Sequence, residues 1–193
     1  MLKDIVLANR SYRRFVESEH IDKSTLRELV DLARCSASGG NLQSLKYILS
    51  CTPEKNDLVF PATSWASYFT EWPGPDQGER PSAYIVILGD TSVSKNFFCD
   101  HGIAAQSILL GAAEKGLGGC MIGSINRDLL RQNLGIPETF EILLIIALGK
   151  PAEKVVLENV GPDGSIKYHR DADGVHHVPK RALDDIILTD CEC

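Results

Sequence analysis

The sequence predicts an α+β fold in which a small, mainly antiparallel sheet is flanked by helices, one of them long and central. Three apolar runs, at 45–51, 83–90 and 142–150, are typical of buried strands. Small and apolar side chains recur at helical spacing between about 97 and 115, which predicts the long helix. Because helices and strands do not alternate strictly, the pattern favours an antiparallel sheet over a doubly wound parallel one.

Local signals predict the shorter elements. Residues 2–9 have helical spacing, and a second helix begins where Asp22 or Ser24 can cap it. The segment NRDLLRQNLG predicts another capped helix, and CMIG a short strand or turn. The segment IKYHRDADGVHHV predicts a hairpin that turns at Asp173-Gly174, and LDDII a short helix after it.

Length and composition predict one domain spanning residues 1–193. The chain is 44% hydrophobic and 24% charged, as in ordinary globular proteins, and it is long enough to bury a core without a metal or disulfide framework. Its net charge of −6 argues against a nucleic-acid partner. The longest apolar run is too short to cross a membrane, and no secretory signal is recognisable, so we expect a cytoplasmic protein whose six cysteines are free thiols.

Basic residues cluster near the two ends of the chain. Arg10, Arg13 and Arg14 lie close to the start, and Lys180 and Arg181 close to the end, each cluster beside apolar residues. A fold that brings the ends together would create an anion site, since the guanidinium fork matches phosphate oxygens. The alternative is two unrelated, solvated charge patches.

Five short motifs occur in a specific order. They are Arg10-Ser11-x-Arg13, Asn41-x-Gln43, the helix from Asp100 to Gly118, Gly149-Lys150-Pro151 and Lys180-Arg181. In that order they resemble the pattern of the nitroreductase family of flavoproteins, and the resemblance covers nearly the whole chain apart from a middle loop.

This resemblance implies FMN bound at a homodimer interface, with NAD(P)H and a small-molecule acceptor as the reacting partners. It implies that Arg10, Ser11, Lys180 and Arg181 bind the FMN phosphate. Arg13 is expected at the pyrimidine edge of the flavin, where a cation stabilises negative charge on the reduced ring.

The resemblance implies that two further segments bind the cofactor. Asn41 and Gln43 are expected to bond the ribityl chain or the ring edge, although loop capping is the alternative. Met121, Ile122 and Gly123 match the segment whose backbone approaches the flavin. Gly123 permits such an approach because it has no side chain, and its alternative is a simple turn glycine.

Departures from the family pattern leave the substrate open. Asn9 stands where many members have arginine, and Ser44-Leu45 where Pro-Trp is common. The turn Ile122-Gly123-Ser124 lacks the glutamate of the usual Ile-Glu-Gly. No catalytic side chain is assigned, since the flavin itself carries the bond chemistry.

The Pro/Gly-rich stretch 56–81 is expected to be irregular and to contribute aromatic rings to the substrate pocket. The candidates are Trp65, Tyr68 and Phe69, which would cover the flavin as a variable insert does. The alternative is a local cluster that packs against the body of the protein or against a dimer partner.

No metal site is expected. His176 and His177 are adjacent, and neighbouring side chains on a strand point to opposite faces, so both cannot easily bind one ion. Cys191-x-Cys193 is interpreted as a frayed terminus.

The resulting hypothesis is an FMN-dependent oxidoreductase that uses NAD(P)H to reduce a nitroaromatic, a quinone or a similar acceptor by a ping-pong mechanism. One alternative is an FMN carrier or sensor without NAD(P)H turnover. Another is a different flavin chemistry on the same scaffold, such as reductive dehalogenation.

Overall fold

The main sheet has four strands, and every neighbouring pair is antiparallel. A computed structural model describes residues 1–189. The strands are β1 (Leu45–Ser50), β2 (Ala83–Asp90), β3 (Gly118–Ile122) and β4 (Phe140–Gly149), in the order β1-β2-β4-β3. The predicted α+β class and its antiparallel sheet are confirmed.

The central strands β2 and β4 form the middle of the core because they are apolar on both faces. Ile85 and Ile146 face one hydrophobic cluster, whereas Tyr84 and Ile145 face another on the opposite side. This alternation follows from the two-residue period of a strand. Helices cover both faces, so continuous apolar runs rather than alternating ones are what this sheet requires.

Within residues 1–189, five α-helices surround the sheet: α1 (Leu2–Ala8), α2 (Lys23–Arg34), α3 (Pro53–Val59), α4 (Asp100–Glu114) and α5 (Arg127–Leu134). Asp22 caps α2 by accepting a hydrogen bond from the Thr25 N–H. The long helix α4 packs closely against α2 through Gly111, where an added Cβ would lie 2.3 Å from a Leu32 methyl carbon. The small residues in α4 therefore set how closely the two helices approach.

A second, smaller sheet carries the end of the chain. Its strands are β5 (Val155–Asn159), β6 (His169–Arg170) and β7 (His176–Lys180), in the order β5-β7-β6. The antiparallel β6–β7 hairpin follows the sequence expectation, and its turn contains Gly174 at a φ of 77°. The parallel pairing of β5 with β7 was not expected.

Two local expectations differ from the structure. The stretch from 56 to 81 begins inside α3, which Thr52 caps and Pro53 opens, instead of being irregular throughout. Residues 183–187, predicted to be a short helix, contain a turn at 184–186 instead. Within residues 1–189, no helix combines the length and apolar character that crossing a membrane requires. Cys191 and Cys193 lie outside the described residues.

Candidate functional site

Two neighbouring cavities lie beside the edge strand β3, and they share Arg13, Met121 and Tyr168. The larger one, here called the basic cavity, has a volume of about 330 Å³. The smaller one, here called the sheet-edge cavity, has a volume of about 240 Å³. Besides the shared residues, the basic cavity is lined by Arg10, Ser11, His176 and Lys180, among others, and the sheet-edge cavity by Trp65, Ile122 and Gly123, among others.

The basic residues from the two ends of the chain meet in the basic cavity. Ser11 forms a β-bridge with Gly119 of β3, and β7 delivers Lys180 to the same cavity. The Arg10 guanidinium donates to the Val6 carbonyl at 2.7 Å, while its Nε is buried without a hydrogen-bond partner among the described residues. Arg181 is exposed and lines neither cavity.

A buried carboxylate, Glu153, holds this arrangement together. Its side chain is 3% exposed and accepts hydrogen bonds from the backbone N–H groups of Arg13 and Arg14 and, at 2.9 Å, from Arg170 Nη2. Glu153 thus connects the arginine-rich segment near the start of the chain with the hairpin near its end. Its position two residues after the Gly-Lys-Pro turn was the available sequence signal, and it was missed.

Arg13 stands where the two cavities join. Its guanidinium lies 5.0 Å from the centre of the Tyr168 ring, and Nη1 donates to the Ser11 carbonyl at 3.3 Å. A permanent positive charge is therefore available to ligands in both cavities.

The end of β3 presents backbone to the sheet-edge cavity. Ile122 is buried, and Met121 is 38% exposed and reaches both cavities. A Cβ added to Gly123 would meet nothing within 4 Å, so this glycine borders open space. At Gly119, by contrast, a Cβ would lie 2.5 Å from a Leu109 methyl carbon and 2.7 Å from the Ala147 carbonyl oxygen.

Asn41 and Gln43 line neither cavity. Gln43 Nε2 donates to Asn41 Oδ1 at 3.3 Å, and both residues have positive φ, 56° and 52°. The buried Asp100 at the start of α4 anchors this loop by accepting from Ser38 Oγ at 2.7 Å and from the Gly39 N–H at 2.9 Å. Asp100 is a second positioning carboxylate whose contacts the sequence did not reveal.

The predicted aromatic residues separate into two groups. Trp65 lines the sheet-edge cavity and is 8% exposed, with its indole N–H donating to Thr63 Oγ1 at 3.0 Å. Tyr68 and Phe69 line neither cavity and instead pack against Tyr168, with ring centroids 4.8 and 5.1 Å apart. For these two, the geometry is that of a local cluster.

The adjacent histidines of β7 have opposite environments, as expected from strand geometry. His176 is fully buried in the wall of the basic cavity, and its burial, together with the nearby Arg13, lowers its pKa to about 4. His177 bonds Asp171 through Nε2 and Glu158 through Nδ1, each at 3.0 Å, and these carboxylates raise its pKa.

Glu158 and His177 also approach His169 closely enough for three ligand atoms to lie within 4.8 Å of one another. Both His177 nitrogens already bond carboxylates, which is the arrangement of a protonated imidazole. The hydrogen bonds of a protonated His177 with Glu158 and Asp171 therefore account for the close approach of these groups.

The polar groups of the basic cavity fit a ligand that carries phosphate and hydroxyl groups. Arg10 Nε and both ring nitrogens of His176 are buried without partners among residues 1–189. Unpaired buried polar groups are costly, and a bound ligand can satisfy them. Arg10, Arg13 and Lys180 supply the positive charge that a phosphate requires.

The FMN-dependent nitroreductase of Clostridium difficile R20291 has a TM-score of 0.61 to this chain at 23% identity, covering 77% of this chain and 87% of that one. A protein of Exiguobacterium sibiricum crystallised in complex with FMN has a TM-score of 0.66 at 17% identity, covering 79% and 89%. These likenesses show the fold.

Sequence comparisons agree with the fold. The Bacillus subtilis protein named "Putative NAD(P)H nitroreductase YodC" is 22% identical over 186 residues, covering 76% of this chain and 88% of its own. The model of the nitroreductase family matches residues 6–150, which is more than half of the chain. The chain therefore belongs to the nitroreductase family of FMN-dependent oxidoreductases, which confirms the family, enzyme class and cofactor expected from its sequence.

Proposed function

We propose that this protein uses NAD(P)H to reduce a small acceptor, such as a nitroaromatic or a quinone, with FMN bound across the basic and sheet-edge cavities. The observation that carries the proposal is the continuity of these cavities, which share Arg13, Met121 and Tyr168. One end of the site is suited to a phosphate and the other to a planar ring against exposed backbone.

Each residue group has a distinct role in this proposal. Arg10, Ser11 and Lys180 bind the FMN phosphate, and Arg181 approaches it from the neighbouring surface. Arg13 lies at the junction of the cavities, where its charge stabilises negative charge that develops on the pyrimidine edge of a reduced ring.

The backbone at Met121, Ile122 and Gly123 supports the ring, since the open side of Gly123 allows close approach. Trp65 contributes to the substrate pocket. Tyr68 and Phe69 do not contact the ligand in this proposal, and instead pack against Tyr168 and hold it in position.

When bound, FMN supplies hydride transfer, and the protein supplies placement and electrostatics. No carboxylate or histidine of the described chain lines the sheet-edge cavity. This is consistent with the absence of an assigned catalytic side chain. Donor and acceptor enter the same cavity in turn, which gives a ping-pong order.

The proposed assembly is a homodimer of single-domain subunits. Helix α1 buries none of its residues although it carries Leu2, Val6 and Leu7, and Leu183 and Ile186 are exposed near the other end of the chain. Exposed apolar surface of this kind is suited to an interface. Asn41 and Gln43 lie apart from the cavities of their own subunit and would complete the site of the partner.

A cytoplasmic location is part of the proposal. It is supported by the four cysteines within residues 1–189, which are free thiols as expected in a reducing compartment.

An FMN carrier or sensor is the second candidate function. A cavity sealed by the aromatic residues at 65–72 would favour it. Instead, Tyr68 and Phe69 line neither cavity, while the exposed Ser64, Ser67 and Ser124 border the sheet-edge cavity. An open cavity favours turnover.

Steady-state oxidation of NADH and NADPH tests the proposal. The FMN-loaded protein is assayed with a nitroaromatic and with a quinone at several fixed acceptor concentrations. We expect acceptor-dependent oxidation of the nicotinamide and parallel double-reciprocal plots. Bound FMN without nicotinamide oxidation would instead support the carrier function.

A further inference from the structure

We propose that His176 is an additional cofactor-binding residue, whose Nε2 accepts a hydrogen bond from a ribityl hydroxyl of FMN. This inference rests on the proposed placement of FMN in the basic cavity. It adds a residue outside the five motifs and assigns it a specific atom and a specific part of the ligand.

The first support is the unsatisfied state of the imidazole. His176 is fully buried, and neither ring nitrogen has a hydrogen-bond partner among the described residues. Tyr168 and Phe69 pack against the ring with centroids 5.3 and 5.4 Å away, and neither makes a hydrogen bond to it. A buried polar group without a partner is unfavourable, and a ligand in the adjoining cavity would recover that loss.

The second support is the tautomer that the surroundings favour. Glu153 Oε2 lies 3.9 Å from Nδ1, beyond hydrogen-bond distance but close enough for the carboxylate to favour a proton on that nitrogen. Nε2 is then left as the acceptor. Arg13 and Arg170 lie nearby and oppose a second proton on the ring.

The position of His176 selects the part of FMN that it contacts. The residue lines the basic cavity together with Arg10 and Lys180, but it does not line the sheet-edge cavity. A ligand with its phosphate at these cations and its ring beside Gly123 has its ribityl chain between them. Ribityl hydroxyls are donors, which is what a neutral imidazole acceptor requires.

Dissociation constants of three flavins for the wild type and a set of variants test this assignment, and they are measured from the quenching of flavin fluorescence. The ligands are FMN, riboflavin, which lacks the phosphate, and lumiflavin, which lacks the ribityl chain. His176→Phe removes both nitrogens, and His176→Gln retains an acceptor. His177→Gln is the matched control, since His177 bonds Glu158 and Asp171 and lines neither cavity.

The expected pattern is specific to the ribityl contact. His176→Phe raises the dissociation constants of FMN and riboflavin about tenfold, as the loss of one hydrogen bond predicts, and leaves that of lumiflavin unchanged. His176→Gln recovers part of that affinity, and His177→Gln changes none of the three constants. Thermal unfolding of each ligand-free variant establishes that the folded protein is being compared.

Several outcomes would overturn the assignment. Equal FMN affinity in the wild type and a folded His176→Phe variant would mean that an internal water, rather than the cofactor, satisfies His176. If His176→Phe weakened the binding of lumiflavin as much as that of FMN, His176 would contact the flavin ring and not the ribityl chain. If His176→Phe does not fold, unchanged FMN affinity in His176→Gln together with unchanged affinity in His176→Asn, which moves the acceptor, would have the same meaning. Failure of the wild type to bind FMN would contradict the proposed function instead.

Discussion

Glu153 and Arg170 form a buried ion pair, with Oε2 and Nη2 2.9 Å apart and side chains 3% and 14% exposed. The same carboxylate accepts hydrogen bonds from the backbone N–H groups of Arg13 and Arg14. Glu153 therefore connects the arginine-rich segment near the start of the chain with the hairpin near its end.

Replacing Glu153 by alanine should unfold the protein more easily and weaken FMN binding. The change leaves the Arg170 charge buried without its partner, and we expect a loss of about 3–5 kcal/mol in the free energy of unfolding. Urea unfolding measures it. Glu28→Ala is the matched control, because Glu28 forms an exposed pair with Lys115 and should cost less than about 1 kcal/mol. Equal losses in the two variants would contradict the role of Glu153.

Two glycines of the β3 region should respond differently to alanine. At Gly119 the new Cβ would meet Leu109 and the Ala147 carbonyl, and we expect a loss of about 1–3 kcal/mol in unfolding free energy. At Gly123 it would meet nothing within 4 Å, so stability should change by less than about 0.5 kcal/mol. Gly123→Ala should instead weaken FMN binding, measured by fluorescence quenching. Unchanged affinity would remove Gly123 from the proposed ring contact.

Asp100 should control the order of the loop that carries Asn41 and Gln43. Asp100→Ala removes the acceptor for Ser38 Oγ and the Gly39 N–H, which should cost about 1–3 kcal/mol of stability. Amide hydrogen exchange over residues 38–43 should become faster. The control is Asp128→Ala, because Asp128 is exposed in the first turn of α5. In this variant, amide exchange over residues 38–43 should match that of the wild type. Unchanged exchange in both variants would show that other contacts order the loop.

The adjacent histidines should give the protein opposite pH dependences. Burial, then Arg13, with Arg170 and His169 in the same direction, lowers the pKa of His176 to about 4, and Glu153 opposes this shift. Below its unfolded pKa of about 6.5 the unfolded chain binds a proton that the folded chain does not, so stability falls as the pH drops from 6.5 towards 4. The loss attributable to His176 should approach about 3 kcal/mol.

For His177 the sign is reversed. Its folded pKa is raised by Asp171 and Glu158, so its contribution is present below pH 6.5 and is lost as the pH rises through the folded pKa. Urea unfolding between pH 4 and 9 checks both residues. His176→Phe should reduce the acid-side slope, and His177→Gln should reduce the decline above pH 6.5. An unchanged acid-side slope in His176→Phe would mean that His176 is protonated in the folded state.

Local patterns were sufficient to predict the main sheet but not the second one. Strands β2 and β4 are continuous apolar runs, and their period and length identify them without tertiary information. Strand β5 reads Val-Val-Leu-Glu-Asn and pairs in parallel with β7, a contact that local sequence does not encode. Helix α3 was missed because the prolines and glycines that follow it dominated the interpretation of 56–81.

The sequence predicted the site residues that belong to the five motifs. It did not predict the residues that act through contacts distant in sequence. The order of the motifs brought Arg10 and Lys180 into one hypothesis, and the fold brings them to one cavity. Glu153 and Asp100 act through contacts to residues 139–140 and 61–62 positions away, which no spacing rule reveals. Tyr168 was expected in a hairpin, and its place between the two cavities depends on how that hairpin packs.

The most direct test of the proposed function is the visible absorption spectrum of the purified protein with FMN, recorded before and after anaerobic addition of NADH or NADPH. We expect a protein-bound flavin spectrum that bleaches with one nicotinamide and recovers when a quinone or nitroaromatic is added. Protein that retains no FMN would contradict the assignment of the basic cavity, and bound FMN that neither nicotinamide bleaches would contradict the proposed reductase.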